Sequence, residues 1–259
     1  LIGDTLNLGG TEGQFVELAC ALDRRRFDLH VACLSAEGPL RPQLERAGIR
    51  PWSCGAGSLK SPRLAAALWR LRWYIRQHRI RIVHSFDFYS NIMGILAGRW
   101  ARGPEIIASQ RNLGDLRAPA ETRIHNALLR FASRLLVNSD AIAERVRQAR
   151  SIDDQRIVVV PNGLDLARFS GVPRRPSAAP RIGTVANLRP EKGHRDFLEA
   201  AALVHRRIPR ASFVIAGDGP LRPELERQAR DSGIAETVSF LGWRPDIENV
   251  LADLDVFDL

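Results

Sequence analysis

Short apolar segments and amphipathic segments alternate along almost the whole 259-residue chain. The apolar segments are rich in β-branched residues and are too short for helices, so they predict buried strands. These are Leu29 to Leu34, Ile80 to His84, Glu105 to Ser109, Leu135 to Asn138 and Ile157 to Val160. Apolar residues at spacings of three and four predict helices at Glu12 to Leu22, Leu64 to Gln77, Asn91 to Trp100, Thr122 to Ala132 and Asp140 to Ala149.

This alternation predicts a parallel sheet with helices on both faces, because each return to a parallel strand needs a crossover. We assign residues 1–165 to a first Rossmann-like domain. The pattern stops in residues 166–180, which contain three prolines and a glycine and therefore predict a linker.

A second alternation fills residues 181–259 and predicts a second Rossmann-like domain. Its strands are predicted at Arg181 to Ala186, Ser212 to Ala216, Thr237 to Leu241 and Leu254 to Phe257. Its helices are predicted at Arg195 to Arg206, at Leu221 to Arg230 and, briefly, after Pro245. The predicted fold class is thus α/β with two Rossmann-like domains, the second incomplete because it is shorter than a typical domain.

The composition is that of a globular protein, with 45% hydrophobic and 26% charged residues. No apolar run approaches the roughly 20 residues of a membrane-spanning helix, and the first residues do not form a secretion signal. The three cysteines are odd in number and form no Cys-x-x-Cys pair, which favours reduced thiols in a cytoplasmic protein over a disulfide or zinc.

The formal net charge of +9 attracts polyanions without selecting one of them. Aromatic and basic residues do not interleave as in a base-stacking sheet, so nucleic acid is not an expected partner. Of the 38 basic residues only Lys60 and Lys192 are lysines.

Lys192 and Arg189 stand in the segment from Gly183 to Gly193, where a predicted strand passes into a helix. Two cations at such a transition suit a diphosphate, because the helix N-terminus adds a partial positive charge. A solvated turn with unrelated charges is the alternative interpretation.

Gly9 and Gly10 lie at the corresponding place in the first domain, before its first helix. Adjacent glycines let backbone amides approach an anion closely. The segment contains neither a Gly-x-Gly-x-x-Gly fingerprint nor a P-loop. A plain turn therefore remains the alternative interpretation.

Six segments in this order resemble the retaining glycosyltransferases of family 4, which have the GT-B fold. They are Gly9 to Glu12, Val137 to Ser139, Pro161 to Asp165, Gly183 to Gly193, Gly217 to Pro220 and Val238 to Gly242. The resemblance covers nearly the whole chain. It implies transfer of a sugar from a nucleotide diphosphate donor to a glycan, lipid-linked or small-molecule acceptor, as in cell-envelope glycan synthesis. Retained configuration is implied, with no metal and no other cofactor.

The resemblance also assigns roles to individual residues. It places Arg189 and Lys192 on the donor diphosphate as catalytic groups, because they neutralise the leaving nucleotide. The donor site it implies further includes Gly9, Gly10, Gly217, Pro220, Phe240, Leu241 and Gly242. For Gly217, Pro220 and the last three residues, a tight turn and a core strand are the structural alternative.

The chain departs from the family pattern near the transferred sugar. Many family members have a histidine after the strand that corresponds to Glu105 to Ser109, and this chain has Arg111 there. Arg111 is therefore a candidate catalytic residue, and a cation of a surface loop is the alternative. His84 and Asp87 lie at the end of the preceding strand and are candidates for acceptor contact. A structural histidine is the alternative for His84.

The family's Glu-x7-Glu pair, which holds the donor sugar, would follow Phe257, close to the last residue, Leu259. The chain also opens inside a strand, so we interpret it as a fragment truncated at both ends and expect little transferase activity from it alone. Asp253 and Asp255 match an Asp-x-Asp metal motif but bracket a helix end, so no metal site is predicted there.

The stretch from Arg63 to Arg81 combines an apolar helix face with Trp69, Trp73 and several arginines. Packing on the sheet explains it, and peripheral contact with an acidic membrane is the alternative. Two other functions stay open for the chain: a sugar-nucleotide epimerase of the same architecture, and a non-enzymatic polyanion- or membrane-binding protein.

Overall fold

The computed structural model describes residues 1–55, 63–114, 117–174 and 178–258. The chain divides into two compact units, Leu1–Gly163 and the part from Leu164 onward. Lys60, residues 175–177 of the predicted linker and Leu259 lie outside the described residues. Within the described ranges, no helix combines the length and the apolar character needed to cross a membrane.

The first unit contains a seven-stranded parallel sheet with the order β3-β2-β1-β4-β5-β6-β7. The strands are Ile2–Gly3 (β1), Ala32–Cys33 (β2), Trp52–Ser53 (β3), Ile82–Phe86 (β4), Glu105–Gln110 (β5), Arg134–Val137 (β6) and Ile157–Val159 (β7). The helices are Gly10–Ala21 (α1), Arg41–Arg46 (α2), Arg63–Gln77 (α3), Phe88–Ala101 (α4), Pro119–Leu129 (α5) and Asp140–Ala149 (α6).

Both faces of this sheet are covered. Ala32 and Cys33 are neighbours in β2, and they belong to two different apolar clusters. Because successive residues of a strand point to opposite faces, the two clusters lie on opposite sides of the sheet. One cluster is built with α1 and α2 and the other with α3 and α4.

The second unit contains a four-stranded parallel sheet with the order β10-β9-β8-β11. Its strands are Arg181–Val185 (β8), Ser212–Ala216 (β9), Val238–Gly242 (β10) and Val256–Asp258 (β11). Its helices are His194–Arg207 (α7), Arg222–Asp231 (α8) and Ile247–Ala252 (α9). Two parallel Rossmann-like sheets confirm the predicted fold class.

Several predicted boundaries differ from the structure. The strand predicted from Leu29 begins only at Ala32, and the one predicted from Leu254 begins at Val256. Leu254 is buried and its amide donates to the Leu251 carbonyl, so it closes the end of α9 instead. The helix predicted at Leu64 to Gln77 begins one residue earlier, at Arg63, and ends at Gln77 as predicted.

The predicted helix from Thr122 to Ala132 is displaced toward the N-terminus. It begins at Pro119, whose fixed φ angle suits the first helical position. The Glu121 carboxylate accepts a hydrogen bond from the Ala118 amide at 3.2 Å, which caps this end. The prediction missed α2 and β3 because six and two residues are too short to show a period.

Candidate active site

The loop between β8 and α7 is held rigidly at the carboxyl end of the second sheet. The Leu188 side chain is fully buried, its amide donates to the Asp218 carbonyl at 3.0 Å, and its own carbonyl accepts from Leu221. Gly219 makes this approach possible, since a Cβ there would stand 2.6 Å from the Leu188 carbonyl oxygen. The residues that follow Leu188 therefore start from a fixed position.

Arg189 and Lys192 follow this anchor and are exposed. A 3-10 turn, Pro190–Lys192, and Gly193 with φ of +67° bring the chain into the first turn of α7. Within the described part of the chain, neither side chain has an ion-pair or hydrogen-bond partner. Two unpaired cations beside the N-terminus of a 14-residue helix attract anions.

His194 fastens α7 to the same loop and was missed by sequence reasoning. The imidazole is 1% exposed, and its Nε2 donates to the Asn187 carbonyl at 3.1 Å. Among the described residues, its Nδ1 has no hydrogen-bond partner. Only the fold shows that this histidine is buried, since its place before a helix looks solvent-facing in the sequence.

Gly217 follows β9 and touches the same loop. Its φ of +147° and the closeness of the Ala186 carbonyl leave no room for a side chain. The Gly217 amide donates to the Gly242 carbonyl at 2.8 Å, which joins the ends of β9 and β10. Gly217 and Gly242 thus lie at the same carboxyl edge as Arg189.

Phe240 and Leu241 occupy the end of β10 and pack into the two apolar clusters of the second unit, one on each face of its sheet. Their partly buried side chains contribute to the core, and ligand contact by these two residues stays a prediction. Pro220 is exposed in the turn before α8. Trp243, which sequence reasoning did not single out, directly follows this strand and is 49% exposed.

In the first unit, Gly9 caps α1 and Gly10 begins it. A Cβ on Gly9 would collide with the Glu12 carboxylate, which therefore lies against this turn, whereas the space around Gly10 is open. The prediction assigned the turn to phosphate. Glu12 must move away if an anion is to reach the amides of Gly9 and Gly10.

A small pocket lies at the carboxyl ends of β1 and β4, and one of its lining residues, Asp4, was not predicted. The Asp4 carboxylate accepts from the Ser90 amide at 2.6 Å. Burial raises the pKa of Asp4 to about 7, and the neighbouring charges of Asp87 and Glu12 add to the effect. The pocket is lined by Gly3, Asp4, Thr5, Thr11, Glu12, Phe15, Phe86 and Asp87.

Asp87 is a predicted site residue that the structure places in this pocket, in a strained backbone conformation with φ of 83°. Its two carboxylate oxygens accept from Arg117 at 2.9 Å and from Asn112 at 2.8 Å. Burial raises the pKa of Asp87, while the Arg117 charge opposes that rise. Arg117 was not predicted, because nothing in the sequence links it to Asp87.

Arg111 and His84 occupy different surroundings in the first unit. Arg111 lies over the Phe86 ring at 5.0 Å and donates to the Asn162 side chain at 3.0 Å. Its Nε has no hydrogen-bond partner within the described part of the chain. His84 lies inside β4, with Nε2 2.8 Å from the Ser109 hydroxyl, and burial lowers its pKa to about 3. His84 is thus a neutral histidine within the sheet. Acceptor contact by His84 stays a prediction.

Asp253 and Asp255 form local ion pairs. Asp255 accepts from Arg174 and from the Arg181 amide, both at 3.0 Å, and Asp253 lies 3.8 Å from the Arg181 guanidinium. The Asp-x-Asp segment therefore holds the start of β8 in place.

The protein consists of two Rossmann-like units, and the second has an exposed basic loop between a strand and a helix. This arrangement is typical of GT-B glycosyltransferases. Family models agree with it: Glycosyltransferase Family 4 matches residues 8–168, and Glycosyl transferases group 1 matches residues 179–259. The chain belongs to glycosyltransferase family 4, which confirms the resemblance.

Curated relatives are longer than this chain. An Escherichia coli UDP-Gal:alpha-D-GlcNAc-diphosphoundecaprenol alpha-1,3-galactosyltransferase is 28% identical over 92% of the chain and 66% of its own length. A D-inositol 3-phosphate glycosyltransferase of Corynebacterium urealyticum is 30% identical over 78% of the chain and 57% of its own length. The chain spans less than two thirds of either.

Solved structures share the fold. Anabaena HepE, crystallised with UDP and glucose, has a TM-score of 0.78 and 20% identity, over 99% of this chain and 73% of that one. The lipopolysaccharide outer core galactosyltransferase WaaB has a TM-score of 0.71 and 18% identity, over 99% and 72%. Because the sequence identities to these two structures are low, the structural similarity supports the GT-B fold and nothing further.

Proposed function

We propose that the protein is a glycosyltransferase that takes a sugar from a nucleotide diphosphate donor. The observation that carries the proposal is the pair of unpaired cations, Arg189 and Lys192, at the N-terminus of α7. Bonds to a diphosphate from such groups stabilise the leaving nucleotide as negative charge develops on it. Family membership and the donors named for relatives, UDP-Gal among them, support this assignment.

The donor proposal is tested by thermal unfolding with a panel of nucleoside diphosphates. A ligand at about 100 times its Kd stabilises a protein by about 2.7 kcal/mol, which raises the Tm measurably. Each charge-assisted bond contributes about 1.5 to 3 kcal/mol, so Lys192→Ala and Arg189→Ala should each weaken binding by about 10- to 150-fold.

Arg206→Ala is the matched control, because it removes an exposed cation from the opposite end of the same helix. It should keep the nucleotide-dependent rise in Tm. The donor proposal fails if no nucleoside diphosphate stabilises the protein, or if the control loses stabilisation as strongly as Lys192→Ala.

Retained configuration, independence from metal and a glycan or lipid-linked acceptor form the finer part of the proposal. The family resemblance supports the first two, and the diphosphoundecaprenol acceptor named for the Escherichia coli relative supports the third. Proton NMR of the product reports the anomeric configuration, and a chelator tests for metal. Conversion of the donor sugar without any acceptor would instead identify an epimerase.

We also propose a cytoplasmic location with peripheral membrane contact. Cys20, Cys33 and Cys54 are all free, and the last two are buried, as expected in a reducing compartment. Labelling with a membrane-impermeant thiol reagent after denaturation, with and without prior reduction, would test this. Reduction should not change the number of labelled thiols.

A further inference from the structure

The two units contain nearly the same ten-residue segment after their second strands, β2 and β9. Residues 37–46 and 218–227 differ only where Glu37 corresponds to Asp218 and Gln43 to Glu224. Each segment passes through Gly-Pro-Leu into a helix that begins with Arg-Pro, α2 in the first unit and α8 in the second. Because the local sequences agree, a contact that only one of the segments makes has a cause elsewhere in the fold.

Both segments hold the loop that follows the first strand of their unit. The Leu40 amide donates to the Leu6 carbonyl at 3.0 Å, and the Leu221 amide donates to the Leu188 carbonyl at 3.2 Å. The side chains of Leu6 and Leu188 are fully buried. This shared contact serves the architecture of each unit, so it does not distinguish the two segments.

Two arginines occupy the same place in the two segments and form the same kind of local ion pair. Arg41 donates to the glutamates four positions before and after it, at 2.7 and 2.8 Å. Arg222 donates to Glu226 at 2.9 Å and lies 3.7 Å from Asp218, which are also four positions away. The two arginine side chains are 37% and 34% exposed. Pairs at this spacing stabilise a helix locally, and both helices have them.

Of the two arginines, only Arg222 has a hydrogen bond to a strand within the described part of the chain. Its Nη2 donates to the Phe240 carbonyl in β10 at 3.4 Å. Its Nη1 lies against Gly242, since a Cβ there would stand 3.3 Å from that nitrogen. Because Arg41 has the same local surroundings, helix stability does not account for the contact with β10.

The contact with β10 falls on an irregularity of that strand. Phe240 is in register with Ile215, and Gly242 is in register with Ala216, so Leu241 is an extra residue. Such a bulge bends the strand and leaves the extra residue without a partner in the ladder. The guanidinium bonds the residue before the extra one and lies against the residue after it, so it spans the bulge.

We propose that Arg222 is a positioning residue that shapes the carboxyl end of β10 for the nucleoside of the donor. Strand β10 lies two strands from β8, or about 10 Å, because neighbouring strands are about 4.8 Å apart. At that distance from the loop with Arg189 and Lys192, the bulge meets a part of a nucleotide other than its diphosphate, which leaves the nucleoside. Bulges beside ligand sites re-aim the strand in this way. This role rests on the proposed donor function, since it concerns a second part of the same ligand.

Calorimetric binding of uridine diphosphate and of inorganic pyrophosphate to the same variants tests the role of Arg222. If another nucleoside diphosphate raises the Tm more, it replaces uridine diphosphate. Arg222→Gln should weaken nucleotide binding by about 10-fold, as expected for one lost hydrogen bond from a charged group. Its binding of pyrophosphate should stay unchanged, because pyrophosphate has no nucleoside. A residue that only stabilises the fold would affect both ligands alike.

Arg222→Lys separates the charge from the geometry of the side chain. Lysine keeps a cation beside the acidic neighbours, but it lacks the planar fork that bonds Glu226 and the Phe240 carbonyl together. We expect it to lose nucleotide affinity as Arg222→Gln does, with a smaller loss of Tm. Circular dichroism shows that each variant is folded.

Arg41→Gln is the matched control, because it removes the same local ion pairs without a contact to β10. It should lower the Tm about as much as Arg222→Gln and bind both ligands like the unchanged protein. Full nucleotide binding by either Arg222 variant, equal weakening of both ligands, or the same loss in Arg41→Gln would overturn this role and leave the donor proposal standing. If the unchanged protein binds no nucleoside diphosphate, both proposals fail.

Discussion

Asp4 shows how a single carboxylate acquires an unusual charge state from its neighbours. It follows the two-residue strand β1 and accepts a hydrogen bond from the Ser90 amide, near the start of α4. Burial raises its pKa to about 7 from a usual value of 3.8. The environment of Asp4 arises from packing against Ser90, which lies 86 positions away in the sequence. A local sequence motif therefore cannot predict it.

The raised pKa of Asp4 makes stability depend on pH in a defined direction. Between the unfolded and folded pKa values the folded state holds a proton that the unfolded state has lost, so this residue's contribution falls as pH rises from about 4 to about 7. Asp4→Asn keeps an acceptor for Ser90 but cannot ionise. The free energy of unfolding of the variant, relative to the unchanged protein, should therefore increase over this range.

Urea unfolding of both proteins at about pH 5 and about pH 8 measures this difference. Comparison of the pair cancels the other titrating groups, including buried His84 and His125, whose lowered pKa values act in the opposite direction. A difference that does not change with pH would contradict the prediction.

At the scale of elements, the carboxyl edge of the second sheet depends on close backbone contacts between loops. Gly217 is the tightest of these contacts among the described glycines, with a Cβ position 1.9 Å from the Ala186 carbonyl oxygen. Strain from the φ angle of +147° adds to the clash. The loop that carries Arg189 and Lys192 starts at this contact.

Gly217→Ala should therefore destabilise the protein by at least about 1 to 3 kcal/mol and weaken nucleotide binding, because Ala186 and the loop after it must shift. Chemical denaturation and ligand-dependent Tm measure the two effects. Gly103→Ala is the matched control: a Cβ there meets no atom within 4 Å, and the change should be within about 1 kcal/mol. Equal losses in the two variants would refute this account.

Element types were predicted well where the apolar period was long and poorly where it was short. The helix Asp140–Ala149 and the strand Ser212–Ala216 have the predicted bounds. Helix α4 begins at Phe88, three residues before its predicted start, because Asp87 turns the chain there with a positive φ. Such a turn is a tertiary effect, since Arg117 and Asn112 hold the Asp87 carboxylate.

At the scale of the whole molecule, the net charge of +9 and the donor site should behave as two separate properties. Binding to DNA or heparin rests on many dispersed arginines and weakens steeply between about 50 and 200 mM salt. Lys192→Ala removes one of 38 basic residues, so it should leave polyanion binding nearly unchanged while it clearly reduces nucleotide-dependent stabilisation. Fluorescence anisotropy and thermal unfolding on the same samples distinguish the two.

The opposite pattern would favour the polyanion-binding alternative. In that case the protein would bind DNA in a salt-dependent manner, and nucleoside diphosphates would neither stabilise the protein nor displace the DNA. Loss of both activities in Lys192→Ala would also contradict the separation, because it would place polyanions on the donor loop.

The sequence by itself determined the alternation of strands and helices, the two Rossmann-like units and the position of Arg189 and Lys192 where β8 passes into α7. These follow from local periodicity and from the rule that ligands bind at the carboxyl ends of parallel strands. The tertiary structure alone decided the pairing of Asp87 with Arg117, the burial of His194 and Asp4, and the placement of Trp100 beside Arg72. Each depends on residues distant in sequence or on burial, which no local pattern encodes.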